Sequence, residues 1–194
     1  MAVKKLILAS SSPYRKALLL KLGLPFEAIA SAVDETPHPN ESPEALVKRL
    51  AIAKARAVAE KQPNALVIGS DQVAVHAGQI IGKPNTHENA VRQLRAASGT
   101  TITLCTALAL VNSDTGRVQS KVIPFRVVFR ALTDAQIENY LRKEQPYDCA
   151  GSVKSEGLGI ALLERMEGED PNTLIGLPLI DLVRMLENEG VTVV

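Results

Sequence analysis

Aromatic residues are scarce in this chain: they make up 3% of its 194 residues, and tryptophan is absent. That excludes an extended platform on which successive bases of a single-stranded nucleic acid would stack. Excess charge is equally scarce. The 22 basic and 21 acidic residues leave a net charge of +1, so nothing draws a polyanionic backbone from a distance. The expected partner is therefore not a nucleic-acid polymer. Only two cysteines occur, Cys105 and Cys149, with no CxxC spacing, and both are expected to be buried small hydrophobes in a reducing compartment. The apolar run behind Lys4 and Lys5 extends only from Leu6 to Ala9, too short for a signal peptide or a membrane span. The expectation is a cytoplasmic protein with no membrane partner. His38, His76 and His87 are scattered without metal-ligand spacing. No serine stands in a GxSxG elbow.

What is present is a large apolar fraction, 46%, enough to build a core without disulfides or a structural metal. Leu6-Ile7-Leu8-Ala9 reads as a buried strand. Ser12 as cap, Pro13 at the first helical position and Gly23 beyond the end define a helix reaching about Leu22. A second strand is expected over Phe26–Ser31, then a polar loop, 33–41. Ser42 and Pro43 open a helix to about Lys61. Ala65–Val75 reads as a strand interrupted by Ser70-Asp71-Gln72, with a turn at Gly78. Thr86 caps a helix that stops at Gly99. Thr100–Val111 and Val118–Arg130 look like an antiparallel pair joined by Ser113-Asp114-Thr115-Gly116. Thr133 and Gln136 form a capping box for a helix reaching about Lys143. A short strand is expected over Gly159–Leu163, a polar segment over Met166–Asn172, and a last helix from about Pro178. The order is mixed α/β, without repeats or linkers, and is read as one domain.

Three features stand out against this pattern. Arg15 and Lys16 occupy the first turn of a helix, where the macrodipole is already positive and favours acids. Either an anion docks there, cradled by Ser10, Ser11, Ser12 and free N–H groups, or the turn is a solvated basic one. The glycines of a Walker loop are missing. Lys54 falls inside the apolar arc of Leu46, Val47, Leu50, Ala53, Ala57 and Val58. Such a lysine either snorkels, the commoner explanation, or reaches negative charge in a cleft. Asp71 interrupts an apolar strand, where an unpaired carboxylate is costly; a cap, a base or a metal would satisfy it. Glu35, in an acidic loop, is a candidate second carboxylate. Two carboxylates with several lysines fit metal-assisted phosphoryl chemistry.

At these residues the chain resembles the Maf family of nucleoside triphosphate pyrophosphatases. The matching blocks are Leu8-Ala9-Ser10-Ser11-Ser12-Pro13-Tyr14-Arg15, Val33-Asp34-Glu35, Ala53-Lys54-Ala55, Gly69-Ser70-Asp71-Gln72 and Gly82-Lys83-Pro84. The second half adds Ala150-Gly151, Ser155-Glu156-Gly157 and Ile175-Gly176-Leu177-Pro178-Leu179. They look most like the YceF-type branch, whose members hydrolyse 7-methyl-GTP. The resemblance implies an elongated mixed sheet in two lobes with a central nucleotide cleft, like that of inosine triphosphate pyrophosphatases. It implies Asp71 as proton acceptor, with Glu35, Lys54 and Lys83 in the catalytic site. Ser10, Ser12 and Arg15 would bind substrate, and Glu35 and Asp71 would hold a divalent cation, Mg2+ or Mn2+. It also implies that Tyr14, Gln72 and Glu156 choose the base. Some close relatives have tryptophan where Tyr14 stands, and arginine where Lys16 stands. A 7-methylguanine ring is cationic, so an aromatic face and a carboxylate suit it. A dTTP or UTP pyrophosphatase and a non-catalytic nucleotide-binding regulator of cell division are the competing readings. A homodimer is an expectation carried by the resemblance alone.

Overall fold

The computed structural model describes residues 4–194. Strand β1 (Lys5–Leu8) and helix α1 (Pro13–Leu20) are joined by the serine loop, and the Ser12 hydroxyl accepts from the Arg15 N–H as its cap. Strand β2 is only Glu27–Ala28, shorter than the 26–31 expected. It pairs parallel with the end of β1, through Ile7–Glu27 and Leu8–Ala28, and the pairing stops where β1 stops. Helix α2 (Pro43–Ala59) starts at its Ser42 cap. Strand β3 runs unbroken from Ala65 to His76, and β4 (Gln79–Ile81) folds back on it.

Helix α3 (His87–Ala97) carries the Thr86 cap, and α4 (Asp134–Glu144) the complete Thr133/Gln136 capping box. Between them β5 (Thr101–Asn112) and β6 (Val118–Phe129) are sheet neighbours. Strand β7 occupies Leu163–Glu167, later than expected, because 158–162 winds into a 3-10 turn. The short α5 (Asn172–Ile175) and the terminal α6 (Leu179–Glu187) complete the chain. The sheet is mixed and open: hydrogen bonding orders it β2-β1-β3-β5-β6-β7, with β4 on β3. The pairs β1–β2 and β1–β3 are parallel, whereas β3–β4 and β6–β7 are antiparallel. No helix among the described residues is long and apolar enough to cross a membrane.

Two compact units emerge. Among the described residues the first comprises 4–72, 106–123 and 170–194, and the second 73–105 and 124–169. In the first, Leu6–Leu8 of β1 and Ala65–Ile68 of β3 are buried on both faces, which accounts for the unbroken apolar run in each. Leu6, Leu8, Leu66 and Ile68 pack with Leu18, Leu19, Leu182 and Leu186 of α1 and α6. Ile7, Ala9, Ala65 and Val67 face the other way, against Ala55, Val58 and Ala59 of α2. The buried stripe of α2 therefore includes Ala51, Ala55 and Ala59, rotated from the expected arc through Ala53 and Ala57, which are only partly covered. In the second unit α3 buries Ala90, Val91, Leu94 and Ala97, and α4 buries Ile137, Tyr140 and Leu141. Cys105 is buried as expected, but Cys149 is only partly so, and neither is in a disulfide.

Candidate active site

The polar triplet in β3 does not interrupt the strand, because period-two alternation gives each side chain a partner on its own face. Gly69 and Asp71 point to α2, while Ser70 and Gln72 point to the α5 segment. The first pair sets a close helix–strand contact. A Cβ on Gly69 would overlap the Ala51 carbonyl oxygen and stand 2.9 Å from the Ala55 nitrogen. Only glycine on the strand, facing small alanines on the helix, lets the two backbones approach this closely.

That approach delivers Lys54. Its ammonium lies 2.7 Å from Asp71 Oδ1 and 2.9 Å from Glu35 Oε1. The Lys54 side chain is 9% exposed, Asp71 equally so, and Glu35 59%. Of the two readings open for Lys54, the commoner is thus set aside: it does not snorkel to water but bridges two carboxylates. Burial raises the Asp71 pKa, with Glu35 adding to the rise. The hydrogen bond and charge of Lys54, and the charge of Arg15, act against it. A buried carboxylate whose pKa is raised takes up a proton more readily than an exposed one.

Arg15 reaches the other face of β3. Its Nε donates to the Gly176 carbonyl at 3.0 Å, and the Ser70 hydroxyl donates to the same oxygen at 2.9 Å. Burial lowers the Arg15 pKa, opposed by the charges of Asp71 and Glu35. The guanidinium, carried by the first turn of α1, is thus tethered through Nε within electrostatic range of Asp71 and Glu35. Ser10 and Ser12 are both engaged locally, Ser10 accepting from the Ser12 N–H at 3.1 Å and Ser12 from the Arg15 N–H at 3.4 Å. Their hydroxyls shape the turn; Lys16 is exposed.

The Gln72 amide nitrogen donates to Thr106 Oγ1 at 2.7 Å and to the carbonyls of Thr173 at 2.9 Å and Leu174 at 3.2 Å. The Thr106 hydroxyl itself donates to the Thr173 carbonyl at 3.0 Å. These acceptors fix the amide with its oxygen as the remaining hydrogen-bonding atom. Sequence reasoning missed Ser70, Thr106 and Thr173, whose only signal was a hydroxyl inside or beside an apolar run. Tyr14 is partly buried in the first turn of α1.

The first unit thus gathers Asp71, Glu35, Lys54, Arg15 and Gln72. Two further predicted residues belong to the second unit. Lys83 is exposed, in a segment held by Gln93 Nε2 on the Gly82 carbonyl at 3.0 Å and by the Asn85 N–H on the Tyr147 carbonyl at 3.1 Å. Glu156 is exposed in the loop between two 3-10 turns, Ala150–Ser152 and Leu158–Leu162. Among the described residues no three or more His, Cys, Asp or Glu side chains gather as a metal ligand set.

Comparison with known proteins identifies the family. A protein of Nitrosococcus oceani named 7-methyl-GTP pyrophosphatase is 62% identical over 185 residues, covering 95% of this chain and 93% of that protein. The family model described as Maf-like protein matches residues 5–189, and the chain therefore belongs to the Maf family.

Proposed function

We propose that this protein hydrolyses 7-methyl-GTP to 7-methyl-GMP and pyrophosphate, with Asp71 as the proton acceptor. The observation that carries the reading is the buried Lys54 ammonium between Asp71 and Glu35. Binding alone requires no buried carboxylate paired with a buried cation, and this weighs against a non-catalytic regulator. The 62% identity to a protein named for this activity supports the substrate.

In this reading Asp71 takes a proton from water, and the resulting hydroxide oxygen attacks the α-phosphorus. The bond from the α-phosphorus to the bridging oxygen breaks, and pyrophosphate leaves with the electron pair. Lys54 orients Asp71 and keeps it ionised. Arg15 neutralises phosphate charge beside the serine turn formed by Ser10 and Ser12. Lys83 and Glu156 hold their roles on the family resemblance, as a phosphate-site cation and a base-reading carboxylate.

A divalent cation, Mg2+ or Mn2+, fits the donors present. Lys54 engages one oxygen of each carboxylate, and the second oxygens of Asp71 and Glu35 are hard ligands of the kind such ions take. With two protein ligands, the remaining positions fall to water and substrate phosphates, the usual arrangement for Mg2+. Bound there, the cation supplies Lewis-acid neutralisation of the developing phosphate charge. The reduced state of Cys105 and Cys149, neither of them in a disulfide, and a substrate from the nucleotide pool favour the cytoplasm as its compartment.

The test is pyrophosphate release from a panel of 7-methyl-GTP, GTP, dTTP and UTP with Mg2+ or Mn2+. Preferential turnover of 7-methyl-GTP is expected. Preference for dTTP or UTP would move the chain to the other branch, and no turnover of any nucleotide would overturn the enzymatic reading.

A further inference from the structure

Glu156 sits in a loop whose shape is imposed from α4. Within the second unit the Lys154 carbonyl accepts from the N–H groups of Gly157 and Gly159, both at 3.1 Å, closing 154–159 into a compact turn. The turn is anchored at both ends by two residues one helical turn apart. The Tyr140 hydroxyl accepts from the Lys154 N–H at 3.0 Å. The Glu144 carboxylate accepts from the Leu158 N–H at 2.7 Å through Oε2 and pairs with the Lys154 ammonium at 3.2 Å through Oε1. One carboxylate thus ties the residue two before Glu156 to the residue two after it.

Gly157 makes room for this. A Cβ there would stand 2.7 Å from both Glu144 carboxylate oxygens, closer than any side-chain carbon sits. The Leu158 N–H and Lys154 hold the Glu144 carboxyl below its usual range. Tyr140 is 3% exposed and Glu144 is the last residue of α4, so both anchors lie on the final turns of one helix.

We propose that Glu144 is a specificity-positioning residue, which with Tyr140 fixes the 154–159 turn and so the place from which Glu156 reads the base. The inference rests on the reading of Glu156 as base-selecting. Glu144 itself touches neither substrate nor reacting atoms. Its loss should therefore raise KM for 7-methyl-GTP and flatten discrimination against other nucleotides, leaving kcat within a few-fold.

The experiment compares Glu144→Ala, Glu144→Gln, Glu156→Gln and the double variant Glu144→Ala/Glu156→Gln on 7-methyl-GTP, GTP and UTP. Amide exchange across 157–159 is followed in each nucleotide-free protein. Glu144→Ala is expected to lower the preference for 7-methyl-GTP by about tenfold and to speed exchange at Leu158. Glu144→Gln keeps an acceptor for the Leu158 N–H and should recover much of both. The double variant should be no less selective than Glu156→Gln alone, since both act through one contact. A changed preference in Glu156→Gln beside an unchanged one in Glu144→Ala, with exchange accelerated, overturns the positioning role alone. Unchanged preference in Glu156→Gln overturns the base-reading assignment, and the inference falls with it. Should Glu144→Ala fail to fold, Glu144→Gln and Gly157→Ala put the same question, because the added methyl displaces the carboxylate.

Discussion

Lys54 and Asp71 meet at 2.7 Å across the seam where α2 packs on β3, each with about nine-tenths of its side chain covered. The contact joins two residues that are each anomalous in their own element, a lysine on an apolar helix face and an aspartate inside an apolar strand. Each offsets much of the cost of burying the other.

Removing the cation should therefore cost stability as well as activity. Lys54→Met keeps the stem but leaves Asp71 with Arg15 as its nearest counter-charge, and breaking a buried pair in this way costs up to about 3–5 kcal/mol. The sign of the pH dependence follows from burial. The folded Asp71 holds its proton more tightly than the unfolded chain, whose reference value is 3.8. The associated stability is full below that value and is lost as pH rises through the folded pKa. Lys54→Met raises the folded pKa further, so its deficit relative to wild type should be greatest near neutrality and shrink as pH falls. Melting temperatures in chelator from pH 4 to 8 check this; a deficit independent of pH would mean Lys54 acts through packing.

Asp71→Asn should abolish turnover while the fold persists. Asparagine has nearly the same shape and still accepts from Lys54, but cannot take up a proton, and loss of a general base costs about a hundred- to ten-thousand-fold. Single-turnover pyrophosphate release with folding confirmed by circular dichroism is the measurement. Turnover within a few-fold of wild type removes Asp71 from the mechanism.

Gly69→Ala should damage both stability and catalysis by one cause. The added methyl meets backbone atoms of Ala51 and Ala55, which cannot rotate away, so α2 must shift from β3. Overpacking of this kind costs about 1–3 kcal/mol, and the shift carries Lys54 away from Asp71. The expected result is a lower melting temperature with turnover reduced at least as severely as in Lys54→Met. Normal turnover would mean that the ion pair tolerates the displacement.

Much of this was legible in the sequence wherever the deciding signal was local. Caps at Ser12, Ser42, Thr86 and Thr133 fixed four helix starts, because a cap is a bond between neighbours in the chain. Lys54 and Asp71 were each conspicuous, but their meeting depends on the spacing of α2 from β3. The Gly69–Ala51–Ala55 contact that sets it spans elements. The partners of Gln72 lie 34 and about 100 residues away, beyond any spacing rule. Strand β7 escaped because Leu-Glu-Arg-Met-Glu is mostly exposed and sits at the end of the strand order, so its apolar alternation is faint.

Base choice gives the last prediction. Gln72 presents its oxygen, since its nitrogen is taken up by Thr106, Thr173 and Leu174. In the proposed reading that oxygen would accept from an N–H on the guanine edge and Tyr14 would offer a face to the cationic ring, and the family resemblance assigns Glu156 the role of a base-reading carboxylate. Glu156→Gln removes the carboxylate charge and substitutes an amide that donates as readily as it accepts. A site built to bond one base edge discriminates strongly when its polar groups would otherwise go unpaired. Activity on 7-methyl-GTP should therefore fall far more than residual activity on UTP or dTTP, which is expected to hold or rise. Tyr14→Ala should act in the same direction by removing stacking, a loss of about 1–3 kcal/mol for a base on an aromatic ring. The measurement is kcat/KM for each nucleotide in wild type and both variants. Equal losses on every nucleotide would mean that these residues serve the phosphate site or the fold, and the assignment of base selection to them would be wrong.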